Sequence, residues 1–445
     1  VTTPMAGMPR LRRASYVLHV VCVPDRGPEG GEPFPARQLR LIRMMDEVLE
    51  LFDSEPRFQH FTLDETHRLE EYLTIRPEHF ERIEEAVREG KLLVGPWFVQ
   101  PELTPGLPES LIRNLMIGLR TAHVFGPPML VGYVTDTGDP SAWLPQVLKG
   151  FGIDVAVIGS RDAVNIPLEF IWQGNDGSKI IASRFPAATA EASIQSLREA
   201  LAPYCDSGHL LLPLRWKTVG SIPDAVTAAR VEVRDDIFQS TLAAYAKALQ
   251  TYARANSLPV HTSSESASSI DTSQRALTDL IEPFCVWAEH AGRPDHFIER
   301  PQRLLERLWR DVLLNQHSLD EPARDVWRHH IRQYGVLAET IFAESGLTRA
   351  DGSYIEYVVS SSDHKFVITA AKLPHDSERS GMIVRGYNVS SEPLWVTLTP
   401  WRAFSSVDVV TLNETPTGGR LAIERRGAIQ FKAAPFRLLT FWFHD

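Results

Sequence analysis

Cysteine is scarce in this sequence of 445 residues: Cys22, Cys205 and Cys285 are the full set. Three scattered thiols cannot build a disulfide framework or a cysteine-based zinc site, and an odd number suits a secreted protein poorly. They read as reduced, mostly buried thiols of a cytoplasmic protein. Long hydrophobic runs are also missing. The apolar run from Tyr16 to Val23 is too short for a membrane span, and no small-residue cleavage site follows it. It reads as a first buried strand, with no membrane partner expected. Basic charge is in deficit, with 46 Lys and Arg against 56 Asp and Glu. The resulting net charge of -10 argues against a nucleic-acid partner, which calls for a concentrated basic face. No solenoid-length repeat is present, and low complexity is confined to one serine-rich stretch.

What is present is a chain long enough for two or three domains, with 43% apolar residues. From Tyr16 to about Val260, short apolar runs alternate with amphipathic helical patterns, as in βα units around a parallel sheet. The runs after Tyr16–Val23 are "FQHFTL", "KLLVGPWF", "MLVGYV", "DVAVIG", "KIIASRF" and "LLLPL". Helices are expected near Arg37–Phe52, Pro77–Glu89, Leu107–Phe125 and Ser141–Phe151. About seven strands make either a closed barrel or a wide doubly wound sheet. In both, the polar residues just past the strand ends are the first candidates for a site, here Asp25, Glu102 and Asp136.

The segment "HTSSESASSIDTSQ", His261 to Gln274, reads as a linker or an exposed crossover. Beyond it Leu305, Leu308, Trp309, Val312 and Leu313 recur at helical spacing, and a second long helix is expected from about Pro322 to Phe342. After about Gly352 the period changes to two, in runs such as "KFVITAAKL", "LWVTLTPW" and "FRLLTFWF". The expected fold is thus multidomain α/β + α + β: a seven-stranded parallel (β/α) barrel-like domain over 1–260, a helical bundle over 261–350, and an antiparallel β-sandwich over 351–445.

Several stretches together resemble the bacterial α-mannosidases of glycoside hydrolase family 38. They are "PEHFERIEEAVREGKLLVGPWFVQPE", "ESLIRNLMIGL", "GYVTD" with "LPQVLKGFGID", "EFIWQGNDGSK", "VLLNQ" with "SLDE", and "KLPHDSERSGMIVRGYNVSSEP". They occur in the family's order and cover most of the chain. The resemblance implies a catalytic α/β domain, a helical bundle and β-sandwich domains, of which a large β region before the last sandwich looks missing here. It also implies zinc held by two histidines and two aspartates. One of those aspartates attacks the sugar, and a separate aspartate serves as acid and base.

Matched position by position, the resemblance is incomplete. In "HVVCVPDRG", Asp25 matches the first zinc aspartate, but Val23 stands where a histidine belongs. His19 is a poor substitute, since four residues along a strand span about 13 Å. The nucleophile position falls on Asp136, although Gly138 and Asp139 replace the family's usual Phe-Gly pair. In "LLLPLRWKTVG", Lys217 or a neighbour takes the place of the acid/base, and a lysine stays protonated at neutral pH unless strongly desolvated. "VLLNQ" runs through His317 straight into "SLDE", so the loop that carries the second zinc histidine is nearly deleted. No cofactor is expected. Zn(II) would bind only if Asp25, Asp136 and His317 retained a residual site.

If Asp25 and Asp136 face one another, repulsion would raise the pKa of one of them unless Arg26, Arg215 or Lys217 supplied a positive charge. That metal-free arrangement is the expected one. Among the aromatics Trp97, Phe98, Tyr133, Trp143 and Trp172, the alternatives are core packing and stacking on a sugar. Trp97 and Tyr133 are placed on the cleft wall as substrate-binding candidates, together with Asp25, Lys217 and Glu102; Asp64 is a weaker one. His329 and His330, adjacent on a helix, point to different sides and read as a solvated face. Three functions follow. The first is a non-catalytic relative that binds a sugar or sugar-like molecule. The second is a glycoside hydrolase or other sugar-processing enzyme that uses Asp136. The third is a structural or interaction subunit. A homo-oligomer is compatible with all three.

Overall fold

The computed structural model describes residues 15–24, 34–101, 108–137, 141–160, 167–186, 193–215, 221–262, 272–290, 301–317, 331–340 and 354–445. They form two compact units: one is built from 1–104, 114–173 and 179–264, the other from 105–113, 174–178 and 265–445.

The first unit is α/β. Its opening strand, β1 (Val17–Val23), is rich in β-branched residues and buried along almost its whole length, as expected of a strand with neighbours on both edges. β1 lies between β8 (His209–Arg215) and β9 (Asp236–Gln239), parallel to both. Its side chains alternate between two cores. Leu18, Val20 and Cys22 join a cluster with Met45, Val48, Leu69 and Ile83. Val21 and Val23 join another with Tyr133, Val157 and Leu249.

A second sheet has the order β10 (Val260–Thr262), β6 (Glu169–Gln173), β7 (Lys179–Pro186), β5 (Val155–Ser160), β4 (Gly132–Thr137). The strands β2 (Phe61–Glu65) and β3 (Leu92–Trp97) pair with each other in parallel. The single seven-stranded parallel barrel expected from the sequence is therefore not what the described strands form. They make three separately bonded sheets, and β6 runs antiparallel to β7. β6, β9 and β10 have only 5, 4 and 3 residues, too few to show a clear period in the sequence.

Helices cover these sheets. α1 (Phe34–Ser54) is followed by α2 (Thr66–Ile75) and α3 (Phe80–Arg88), the last burying Ile83, Ala86 and Val87 at helical spacing. α4 (Glu109–His123) passes so close to β3 that a Cβ on Gly118 would lie 2.3 Å from Pro96 O. Glycine is what permits that approach. Next come α5 (Leu144–Gly150), α6 (Ile194–Leu201) and α7 (Ile222–Glu232). α8 (Leu242–Ala255) starts at Thr241, whose hydroxyl accepts the Ala244 N–H at 3.0 Å, and it buries Leu242, Tyr245, Ala246 and Leu249.

The second unit begins with helices α9 (Thr272–Arg275), α10 (Glu282–His290), α11 (Pro301–His317) and α12 (331–340), with a π-helical turn at Ala276–Ile281 between the first two. A short helix, α13 (Ile355–Val358), leads into an antiparallel β-sandwich. One sheet is β11 (Val359–Ser361), β14 (Leu394–Pro400), β17 (Ile429–Ala433). The other is β12 (Phe366–Lys372), β13 (Met382–Asn388), β18 (Leu438–His444), β15 (Ser406–Val410), β16 (Pro416–Arg420). Phe431 of the first sheet packs between Phe366 and Phe441 of the second, with ring centroids 5.4 and 4.6 Å away.

The same unit holds a buried ionic network. Glu109 accepts from Arg113 at 2.7 Å and from Arg385 at 2.6 Å. Arg113 also pairs with Glu282 at 3.0 Å, and Glu282 accepts the indole N–H of Trp309 at 2.9 Å. Lys372 pairs with Glu414 at 2.6 Å. Arg385 completes its donor set on Thr440 Oγ1 and Leu412 O. Burial opposes the charge on Glu414, but Lys372 and Arg385 bring its pKa down to about 2.

Candidate functional site

Parallel strands direct their carboxyl ends to one edge, and loops leaving that edge carry the polar side chains of α/β sites. In the first unit such ends are those of β1 and β8 in one sheet, β4, β5 and β7 in another, and β2 and β3 in the third. Register fixes part of it: Val23 of β1 lies opposite Arg215 of β8, so Asp25 and Lys217 each follow by two residues from paired positions. Asp136 is the penultimate residue of β4.

The described part of the edge centres on Gln100. Its Nε2 donates to Asp64 Oδ2 at 2.8 Å and to Tyr133 O at 3.2 Å, its Oε1 accepts Thr135 N–H at 3.1 Å, and its own backbone N–H donates to Glu65 Oε1 at 2.8 Å. The strap that carries it is pinned from α4. Asn114 Oδ1 accepts the N–H groups of Phe98 and Val99 at 2.8 and 3.2 Å, and Asn114 Nδ2 donates to Val99 O at 2.8 Å. Asp64 and Glu65 are both buried, and Arg68 forms an ion pair with Glu65. Burial works against the Arg68 charge, yet Glu65 and Asp64 hold its pKa above the ordinary value. Burial raises the pKa of Glu71, against the pull of Arg37 and Arg68. The cluster is an acidic strand end neutralised by arginine.

The aromatic expectations need correction. Trp97 and Tyr133 do not line an open wall: their exposures are 0% and 1%. The Trp97 indole N–H donates to Tyr133 O at 3.0 Å, and the Tyr133 ring stacks on Phe185 at 5.5 Å between centroids. A buried indole must find an acceptor, and the backbone of β4 supplies it. Phe98, Trp143 and Trp172 are buried as well. Asp64 does lie at the strand-end edge.

Asp25, Glu102, Lys217, Arg26, His329 and His330 lie outside the described residues, as do the side chains of Asp136, Arg215 and His317. His317 is the last residue of α11, in the second unit. Val23, at the position where a zinc histidine was sought, is a buried apolar side chain of the core. His19 has both ring nitrogens engaged, Nδ1 with Ser240 Oγ at 2.9 Å and Nε2 with His209 Nδ1 at 3.0 Å. Burial and then the neighbouring His209 lower its pKa to about 4, so it is neutral at pH 7. Among the described residues, no group of three or more His, Cys, Asp or Glu could hold a metal ion.

Sequence reasoning missed Gln100, Glu65 and Arg68. Their nearest signal was position: Glu65 ends a strand, Arg68 lies one helical turn on, and Gln100 follows the end of β3 by three residues.

Residues 32–317 match the model of the glycosyl hydrolases family 38 N-terminal domain, and residues 365–441 match that of the family's C-terminal beta sandwich domain. The chain belongs to glycosyl hydrolase family 38. It is 34% identical over 164 residues to a Halalkalibacterium halodurans protein provisionally named mannosylglycerate hydrolase, covering 34% of this chain and 18% of that protein. It is 31% identical over 175 residues to alpha-mannosidase G of Dictyostelium discoideum, covering 37% of this chain and 16% of that one. The crystal structure of an alpha-mannosidase from Enterococcus faecalis V583 shares the fold, with a TM-score of 0.61 and 19% identity, over 96% of this chain and 56% of that chain. This family 38 chain thus spans about half the length of that solved relative, and its aligned stretches cover less than a fifth of the two curated ones. None of its described helices is long and apolar enough to cross a membrane.

Proposed function

We propose that this α-mannosidase-like family 38 protein binds a sugar or sugar-like ligand at the carboxyl edge of its first unit without zinc and without ordinary mannosidase turnover. The observation that carries this reading is Val23. A buried valine offers no lone pair at the position where the resemblance calls for a zinc histidine, and His19 is committed to Ser240 and His209. A four-ligand zinc set does not fit the residues at these positions. Lys217 at the acid/base position and the near-deletion of the loop around His317 point the same way. Three buried, unpaired thiols suit a cytoplasmic setting.

A second reading is favoured by the retention of Asp136 at the end of β4: a glycoside hydrolase that uses this carboxylate as nucleophile with a different acid. The deciding experiment combines elemental mass spectrometry of protein purified without chelator or affinity metal, calorimetric titration with the iminosugar 1-deoxymannojirimycin, and incubation with 4-nitrophenyl α-mannoside. The expected result is negligible zinc, measurable iminosugar binding and no nitrophenol release. About one equivalent of zinc, or release abolished in Asp136→Asn, would establish the enzyme instead. Absence of both binding and release would leave the structural-subunit reading.

A further inference from the structure

β3 and β4 are joined without a backbone ladder. Among the described residues β3 pairs with β2, and β4 with β5. One backbone bond, Met129 N–H to Val94 O at 2.9 Å, precedes β4. At the carboxyl end the link is made by side chains: Trp97 Nε1 and Gln100 Nε2 both donate to Tyr133 O, and Gln100 Oε1 accepts from Thr135 N–H. Gln100 thus presents to β4 the donor and acceptor that a neighbouring strand would offer. Its orientation is fixed by this network, because the flipped amide would set oxygen against Asp64 and Tyr133 O, and N–H against N–H.

At the same place β4 is irregular. Its register with β5 runs through Val134 opposite Ile158 and resumes with Thr137 opposite Ser160. Thr135 and Asp136 therefore share the single position of Gly159, a two-against-one arrangement that defines a β-bulge and redirects the side chains it carries. The opposing glycine has a steric reason, since a Cβ on residue 159 would lie 2.1 Å from Thr135 O. The bulge is held from both sides, by the missing side chain of Gly159 and by the amide of Gln100.

We infer that Gln100 is a positioning residue for Asp136: it replaces the absent ladder, holds the bulge at Thr135, and so sets where the next carboxylate is presented to a ligand. This rests on the reading that Asp136 belongs to the ligand site. The test uses the full chain and two variants. Gln100→Leu removes donor and acceptor alike. Gln100→Glu keeps the acceptor for Thr135 and regains a donor only when it shares a proton with Asp64, which acidic pH favours. Three quantities are read: the exchange protection of the Thr135 amide, the titration of the Asp136 carboxyl carbon by NMR, and the affinity for 1-deoxymannojirimycin.

In Gln100→Leu, Thr135 protection and iminosugar affinity should each fall about tenfold, as expected for loss of hydrogen bonds within a connected network, and the Asp136 titration should move. In Gln100→Glu, Thr135 protection should stay near that of the parent, and affinity should recover as pH falls, a rescue that loss of packing alone would not produce. Unchanged Thr135 protection and Asp136 titration in Gln100→Leu would overturn the inference, as would equal losses in both variants at neutral and at acidic pH. If the parent binds no iminosugar, the ligand reading fails, while Thr135 protection and the Asp136 titration still decide the positioning role.

Discussion

Replacing Arg385 by methionine removes one of three cations from a network whose anions are Glu109, Glu282 and Glu414. With Arg113 and Lys372 left, the buried cluster carries one uncompensated negative charge. Glu109 loses its 2.6 Å partner, and Leu412 O and Thr440 Oγ1 lose their donor. Breaking a buried pair on one side costs about 3–5 kcal/mol, because the stranded charge has no solvent to turn to. For a unit of this size that corresponds to a fall in melting temperature on the order of 10 °C. Hydrogen exchange at the amides of β13 and β18, followed through a urea series, reads the stability of this unit directly. The decisive companion is Arg385→Met with Glu109→Gln, which restores neutrality at two cations and two anions. It should be at least about 1 kcal/mol more stable than the sum of the single effects. A single-variant cost below about 1 kcal/mol, or strict additivity in the double variant, would refute the reasoning.

Two further outcomes are expected. His19 is held neutral with a pKa near 4, against an ordinary 6.5, so the unfolded chain takes up a proton that the folded chain refuses as pH drops below about 6.5. Its contribution, about 3 kcal/mol when complete, is present above pH 6.5 and lost as pH falls toward 4; denaturant titrations of parent and His19→Phe should show this slope only in the parent. Gly118→Ala would set a Cβ 2.3 Å from Pro96 O and 2.4 Å from Phe98 N, both backbone atoms, and should cost more than about 3 kcal/mol. Gly90→Ala has open space around its new methyl group, so calorimetry should show only the roughly 1 kcal/mol of backbone strain at its positive φ.

Much of this architecture is written in local pattern. β1, β4, β5 and the sandwich strands β12, β13, β14, β15, β17 and β18 are legible because burial on one or both faces imposes a period on the residues. The helices α2, α6, α7 and α8 do not stand out from the alternating pattern, and the strands β6, β9 and β10 escape it because they have only 5, 4 and 3 residues. β16 has every residue exposed and so carries no burial period at all. In the candidate site, the substitution of Val23 and the strand-end position of Asp136 were readable from matched stretches. The burial of Trp97 and Tyr133 was not, since an aromatic beside a strand end has the same letter whether its ring meets Phe185 or a sugar. Gln100 acts through a bulge on another strand, and only Gly159, a glycine inside a strand run, hinted at that irregularity.

The side-chain seam between β3 and β4 also bears on how such a domain can change over generations. Backbone ladders are indifferent to which residues they join, so most strand spacings in the first unit are insulated from point mutation. Here the spacing depends on the identities of Trp97 and Gln100. A single codon change at either can alter the spacing of β3 and β4 while the ladders within the three sheets remain as they are. The seam between β3 and β4 is thus an adjustable joint beside Asp64 and Glu65, where side-chain changes can be tried without remaking the scaffold.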